Sequence, residues 1–224
     1  MPKGKSKDIK YSLILASESP RRKELLSYMG IDFEVKSMAV EEISLKKDHH
    51  EIVQDISAKK GLASLNQLIR NNEFKKTYFP VVIASDTIVC LGQKIMGKPG
   101  DINEARAMLK ELCGKTHKVL TGVYIGFYEL TSGKYKELCF SCETDVEFEN
   151  FTDDMLEIYL ETKDSLDKAG GYGVQGSGQV LVKKLIGSYS NVVGFPVSTF
   201  IEKLKSVITS EEDETGRFRD LFHG

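Results

Sequence analysis

The chain has 224 residues, 41% hydrophobic and 29% charged, with a formal net charge of −2. This globular composition suits one α/β domain, or two lobes sharing a core, and can bury roughly 70% of the unfolded surface. The charge balance gives no reason to expect nucleic acid or an anionic membrane as partner, and no apolar run approaches the ~20 residues of a membrane-spanning helix.

Tyr11 to Ala16 is a short apolar run that predicts a first strand. Ser17-Glu18-Ser19-Pro20 turns it into a helix from Pro20 to about Met29, with Ser19 at the N-cap, Pro20 at the first helical position and Gly30 just past the end. Free backbone N–H groups where a strand runs into a helix make an anion site. Arg21 and Arg22 fall in the first turn, where the helix dipole disfavours cations. Two readings stay open on these residues alone: a bound anion that offsets the mismatch through bidentate guanidinium contacts, or two solvated arginines partly balanced by Glu24.

Phe33 to Ser37 reads as a second strand. Glu41 and Glu42 then form an acidic pair, solvated by default. A longer helix is predicted from about Glu51 to Ile69, where Asp55 and Lys59 can pair four apart on the polar face beside Asn66. Lys60 falls in the apolar sector of Ile52, Val53, Ile56 and Ala63. A lysine there either snorkels, the commoner role, or points into a site.

Val81 to Ala84 predicts a strand ending at Ser85-Asp86. Open α/β sheets place ligands at such carboxyl ends, and a carboxylate there can hold a metal ion or activate a water; a turn or N-cap aspartate is the alternative. Thr87 to Leu91 and Lys94 to Met96 predict a hairpin around Gly92-Gln93. Lys98, between Gly97 and Pro99, suits a phosphate, or is a plain surface-turn lysine. Asp101 and Glu104 give a capping-box pattern for a helix with Ala105, Met108, Leu109 and Leu112 as its apolar stripe, ended by Gly114.

Val119 to Leu130 and Tyr135 to Phe148 read as two long strands joined near Thr131-Ser132-Gly133. His117 is expected to be a hydrogen-bonded structural histidine. Cys139 and Cys142 form a C-x-x-C within a strand, so their odd separation sends the thiols to opposite faces, and no second pair completes a zinc site. With Cys90 and Cys113 they are too few and too spread for a disulfide framework, and a cytoplasmic protein with reduced thiols is expected. Thr152 caps a helix to about Glu161, with Asp153 and Asp154 in its first turn.

Gly171 to Gly176 matches G-x-G-x-x-G, but no clear strand precedes it and Val180 to Ile186 after it reads as a strand, which rejects a dinucleotide fingerprint. The glycines let backbone approach a flat ligand. Gln175 offers a donor and an acceptor that match N3–H beside a carbonyl in uracil or thymine, or else it satisfies loop backbone. The Walker pattern is absent. A last helix carries Val197, Phe200, Ile201, Leu204 and Ile208 on one face, and a charged tail begins at Ser210. Helices mixed with hairpins imply α/β, with a mixed twisted sheet and flanking helices.

In family order, Leu15-Ala16-Ser17-Glu18-Ser19-Pro20-Arg21-Arg22, Ser85-Asp86-Thr87, Gly97-Lys98-Pro99, Leu112-Cys113-Gly114-Lys115-Thr116-His117, Asp167-Lys168-Ala169-Gly170-Gly171-Tyr172-Gly173-Val174-Gln175-Gly176 and Asn191-Val192-Val193-Gly194-Phe195-Pro196 resemble the Maf family of nucleoside triphosphate pyrophosphatases. Each piece is weak alone; the ordered set covers nearly all of Leu13 to Leu204. The resemblance implies an inosine triphosphate pyrophosphatase-like fold, two lobes around a cleft, and a homodimer as one assembly. The domain is expected over residues 11–208, between an extension (1–10) and a polar tail (209–224). It further implies hydrolysis between the α and β phosphates with a divalent cation, Mg²⁺ or Mn²⁺. Carried over by position, Asp86 matches the proton acceptor, and Arg21, Thr87 and Gln175 match positions tied to substrate choice. Ser17, Arg22, Glu42, Lys60 and Lys98 match other active-site positions, with Glu42 and Asp86 expected to hold the metal.

The Ser-Pro-Arg-Arg, Asp-Thr and Tyr-Gly-Val-Gln-Gly pieces look like the branch acting on dTTP and UTP, so a pyrimidine nucleoside triphosphate is the expected ligand. The sister branch acting on 7-methyl-GTP departs at the arginine, threonine and glutamine positions. Glu18 beside a phosphate loop is a departure that should repel the ligand unless it faces away, and Phe195 stands where leucine is more usual. Two rivals are a phosphatase removing only the terminal phosphate and a nucleotide-sensing or division-regulating protein without significant turnover.

Overall fold

The computed structural model describes residues 10–71, 78–129, 134–208 and 221–222. The expected turn at Thr131-Ser132-Gly133 and nearly all of the charged tail lie outside them. Strand β1 (Lys10–Leu15) leads into helix α1 (Pro20–Ser27), and β2 (Phe33–Val35) returns parallel to β1. Ser19 occupies the N-cap of α1, but its side chain makes no capping bond. Helix α2 (His49–Arg70) starts earlier than its apolar pattern suggests, because the Asp48 carboxylate accepts from the Glu51 N–H and caps it.

Strand β3 (Tyr78–Leu91) is one continuous strand, which corrects the predicted end at Ala84. Ser85 and Asp86 are turn formers by propensity, yet both are buried and paired, Ser85 opposite Val123 and Asp86 opposite Gly122. Pairing along a full-length neighbour outweighs the local preference of two residues. The hairpin to β4 (Lys94–Met96) forms as predicted, with Leu91 opposite Lys94. Helix α3 (Ile102–Leu112) is capped by Asp101, which accepts from the Glu104 N–H at 2.8 Å, while Glu104 reaches back to the Gly100 N–H.

Strands β5 (Thr116–Glu129) and β6 (Lys134–Phe148) form the long antiparallel ladder expected, and helix α4 (Asp153–Glu161) begins at the Thr152 cap. Two short 3₁₀ turns, Ala169–Gly171 and Gly176–Leu181, hold the glycine-rich stretch ahead of β7 (Val182–Ile186), so this strand starts two residues later than predicted. A five-residue helix α5 (Tyr189–Val193), which periodicity does not reveal, precedes α6 (Val197–Ile208). Among the described residues the sheet has seven strands in the order β2-β1-β3-β5-β6-β7, with β4 on β3. The β1–β2 and β1–β3 pairs are parallel and the rest antiparallel, giving the mixed α/β architecture expected.

Strand alternation divides β3 between two cores. Val81, Ile83 and Val89 face the larger core with α3, α4 and α6, whereas Val82, Ala84, Ile88 and Cys90 face α2. Two glycines let α2 settle closely on the sheet. A Cβ on Gly122 would lie 2.2 Å from the Val53 carbonyl oxygen, and one on Gly61 would lie 2.1 Å from the Tyr124 ring. One edge of β3 pairs with β5 throughout. Its other edge pairs with β1 as far as Ile83 and with β4 from Val89, so an interval in that edge, centred on Asp86 and Thr87, has no strand partner among the described residues.

Phe195 is fully buried 4.9 Å from the Phe200 ring, which accounts for its departure from leucine as a packing change. Cys139 and Cys142 pack against opposite cores as their spacing requires. No helix among the described residues is long and apolar enough to cross a membrane.

Candidate active site

The site gathers where β1 ends and β3 runs on. The Ala16 N–H donates to the Ile83 carbonyl at 2.7 Å, the last main-chain tie before the β1–α1 turn leaves the sheet. Ser17 is buried there, and its Oγ accepts from the Ser19 N–H at 3.3 Å and from Arg22 Nη1 at 3.2 Å. Arg22 also donates to the Gly194 carbonyl at 3.1 Å and to Thr87 Oγ1 at 3.3 Å. One guanidinium thus fastens three distant segments: the β1–α1 turn, β3 and the α5–α6 loop. Loss of solvent pulls the Arg22 pKa below its usual value, the nearby charge of Asp86 opposes that shift, and Arg21 reinforces it.

On the α2 face of β3, Asp86 is buried and its Oδ1 receives Lys60 Nζ at 2.7 Å. The same ammonium lies 2.8 Å from Glu42 Oε1. Lys60 is 12% exposed at its side chain, Asp86 10% and Glu42 61%, so the inner pair is dry and the outer carboxylate wet. Lys60 therefore points into the site and does not snorkel. Residues 36–48, which carry Glu42, are strapped along α2: Ser64 donates to the Lys36 carbonyl, and Lys59 donates to the Ile43 carbonyl at 2.6 Å. Lys59 also pairs with Asp55 at 3.0 Å, as its spacing predicts.

Arg21 points elsewhere. Its Nη1 donates to Asp167 Oδ2 at 2.7 Å and its Nη2 to the Asp167 carbonyl at 3.4 Å. Lys168 Nζ holds the other oxygen of Asp167 at 2.6 Å and the Asp164 carboxylate at 2.6 Å. Together with Gln175 and the turn at 162–164, these residues line an open groove of about 730 Å³. Lys98 is exposed in the loop after β4, and that loop is joined to the glycine-rich stretch by the Gly170 N–H to the Gly97 carbonyl at 2.9 Å. No hydrogen bond or ion pair among the described residues links Lys98 to the other candidates.

Glu18 faces away from the turn, 71% exposed and paired with Lys23 at 2.7 Å. His117 is a buried structural histidine bonded to the Tyr172 hydroxyl at 2.6 Å, with burial lowering its pKa to about 4. Sequence reasoning did not single out Asp164 and Lys168, whose i, i+4 spacing was the available signal, nor the roles of Asp167, Thr121 and Asn191.

Glu42 and Asp86 are hard oxygen donors that converge on a common point held by the Lys60 ammonium, a disposition that fits a divalent cation shared with phosphate oxygens. Among the described residues no cluster of three or more histidine, cysteine, aspartate or glutamate side chains forms a self-sufficient metal site, so substrate oxygens would have to complete the coordination.

A family profile described as Maf-like protein matches residues 12–207. The chain is 43% identical over 186 residues to a dTTP/UTP pyrophosphatase of Thermosipho africanus, covering 83% of this chain and 88% of that protein. It is 41% identical over 198 residues to a dTTP/UTP pyrophosphatase of Fusobacterium nucleatum, covering 87% and 95%. It is 40% identical over 194 residues to a dTTP/UTP pyrophosphatase of Bacillus cereus, covering 86% and 88%.

Proposed function

The chain belongs to the Maf family, and on that premise we propose that it hydrolyses dTTP and UTP to the nucleoside monophosphate and pyrophosphate. The observation that carries this reading is the Lys60–Asp86 pair lying beside Arg22 at the interval of β3 whose one edge has no strand partner among the described residues. A buried carboxylate is thereby placed next to fixed positive charge, where a triphosphate can be neutralised and a water activated.

Arg22 and the turn at Ser17 to Ser19 bind phosphate oxygens, Arg22 through its guanidinium and the turn through N–H groups at the start of α1. Lys98 supplies a further charge from the loop after β4. Lys60 fixes Asp86 through Oδ1, and Oδ2 is the oxygen left to take the proton of the attacking water. A divalent cation, Mg²⁺ or Mn²⁺, would be held by Glu42 and Asp86 and would supply charge neutralisation at the phosphate being attacked. Arg21 and Gln175, on the groove with Asp167, make the side of the site that selects the nucleotide. A cytoplasmic setting suits four free cysteines, and sedimentation of the purified chain tests the homodimer.

The deciding experiment incubates the purified protein with a panel of nucleoside triphosphates and Mg²⁺ or Mn²⁺ and separates the products. Monophosphate and pyrophosphate from dTTP and UTP are expected. Orthophosphate and diphosphate would replace this reading with a terminal phosphatase, and nucleotide binding without turnover would replace it with a sensor.

A further inference from the structure

Lys168 lies on the groove that carries Arg21 and Gln175, with its side chain only 12% exposed. An ammonium has three hydrogens, and each is engaged. Lys168 Nζ donates to the Asp164 carbonyl at 2.7 Å, to Asp164 Oδ1 at 2.6 Å and to Asp167 Oδ1 at 2.6 Å. Lys168 therefore has no donor to spare for a nucleotide.

Its anchors are local and firm. Asp164 sits just past the end of α4, where the Lys163 N–H returns to the Leu160 carbonyl at 3.0 Å and Thr162 Oγ1 accepts from the Asp164 N–H at 3.2 Å. Lys163 stops the helix at φ 59°, in the left-handed region. The Lys168 stem crosses Gly173, where an added Cβ would lie 2.8 Å from Cε. The ammonium is thus fixed from the α4 side, and Asp167 is held from it.

The two oxygens of Asp167 are divided between two cations. Oδ1 accepts from Lys168, and Oδ2 accepts from Arg21 Nη1 at 2.7 Å. A guanidinium beside a free carboxylate takes both oxygens in a fork. With Oδ1 already occupied, Arg21 keeps one short contact to the carboxylate and a longer one, 3.4 Å, to the Asp167 carbonyl. Two of its five N–H groups are spent in this way among the described residues, and three remain.

We propose that Lys168 is a positioning residue for nucleotide binding: by occupying one oxygen of Asp167 it keeps Arg21 oriented but incompletely satisfied, with N–H groups left for the substrate. This rests on the reading of the groove as the side of the site that selects the nucleotide, and deepens it. A Lys168 that merely stapled the glycine-rich stretch to α4 would act on stability, and its effect would not depend on Arg21.

The test reads nucleotide binding in Lys168→Met, which keeps the stem over Gly173 and removes the ammonium. Kd is measured by calorimetry with the α,β-methylene analogue of UTP, and KM and kcat with UTP. Released by Lys168, Asp167 grips Arg21 with both oxygens. Kd and KM should rise roughly 3–10-fold, the range between an exposed ion pair and a charge-assisted hydrogen bond, with kcat unchanged. Adding Asp167→Asn to Lys168→Met should recover most of that loss, because an amide has one acceptor oxygen and cannot form the fork. In an Arg21→Ala background Lys168→Met should add nothing. If Lys168→Met folds poorly, Lys168→Met with Asp164→Asn, which leaves no unpaired carboxylate at 164, takes its place in each comparison. An unchanged Kd, a loss undiminished in the Arg21→Ala background, or no recovery with Asp167→Asn would each overturn the proposal. A wild type that binds the analogue but releases no pyrophosphate from UTP would sink the pyrophosphatase reading alone, and the Kd ratios would still score Lys168. A wild type that does not bind the analogue would sink both.

Discussion

Asp86 and Thr87 are neighbours in one strand and face opposite sides of the sheet, Asp86 toward Lys60 on α2 and Thr87 toward Arg22 on α1. In a sheet paired on both edges their side chains would serve separate compartments. Here β1 ends opposite Ile83 and β4 pairs only from Val89 on, so among the described residues both faces open onto the same interval. The site is reached through a break in the sheet's edge, and neighbouring residues there can take different tasks.

Asp86→Asn should fold normally and lose ~10²–10⁴ of the turnover rate, the usual cost of removing a general base. Lys60→Met behaves differently, because it strips the partner from a carboxylate whose side chain is 10% exposed. A loss of roughly 3 kcal/mol in stability is expected by urea titration. Adding Asp86→Asn to Lys60→Met should restore most of that stability without restoring turnover. Equal stability of Lys60→Met and wild type would show the pair to be dispensable for folding.

The Arg21–Asp167 contact is short, but Asp167 is 62% exposed. Breaking it with Asp167→Ala should change stability by less than about 1 kcal/mol, while KM for the preferred nucleotide rises several-fold as Arg21 loses its orientation. Arg21→Ala combined with Asp167→Ala should then raise KM by less than the product of the single effects. Multiplying effects would mean that the two residues act independently.

Gly122→Ala tests the seating of α2. The added Cβ would stand 2.2 Å from the Val53 carbonyl oxygen, so helix or strand must shift. A destabilisation of about 1–3 kcal/mol is expected from the overpacking. Since α2 carries Lys60, turnover should fall even at temperatures where the variant remains folded. A variant with wild-type stability would mean that α2 tolerates displacement.

His117 gives a pH dependence of stability with a definite sign. Burial holds its imidazole at about 4 in the folded chain, against 6.5 when it is free. On acidification the unfolded chain takes the proton first. This contribution is complete above pH 6.5 and declines by ~1.4 kcal/mol per unit down to about pH 4. The stability difference between wild type and His117→Phe, read from urea midpoints, should shift against the wild type as pH falls from 7 to 4.5. A difference constant with pH would place the histidine in solvent contact.

Much of this was legible in the sequence where the determinants are local. Ser17 to Arg22 announces a strand, a turn and a helix start, and the structure places Arg22 and Ser17 together there. Lys60 was ambiguous, because periodicity gives its sector but not how closely the helix lies on the sheet; that depends on Gly61 and Gly122, whose small size matters only once α2 meets β5. The continuity of β3 through Ser85 and Asp86 was hidden for the same reason, its support being the long-range pairing with β5. The tie between Arg21 and Asp167 spans 146 positions and leaves no periodic trace.

The unbroken run of β3 against β5 limits how this protein can respond to a ligand. A hinge that moved β3 against β5 would have to shear an antiparallel ladder from Val81 to Cys90, and paired strands resist that. The β3–β5 wall is therefore set before a nucleotide arrives. Accommodation falls to side chains and to the strap at 36–48, whose Ser64 and Lys59 tethers can yield one at a time.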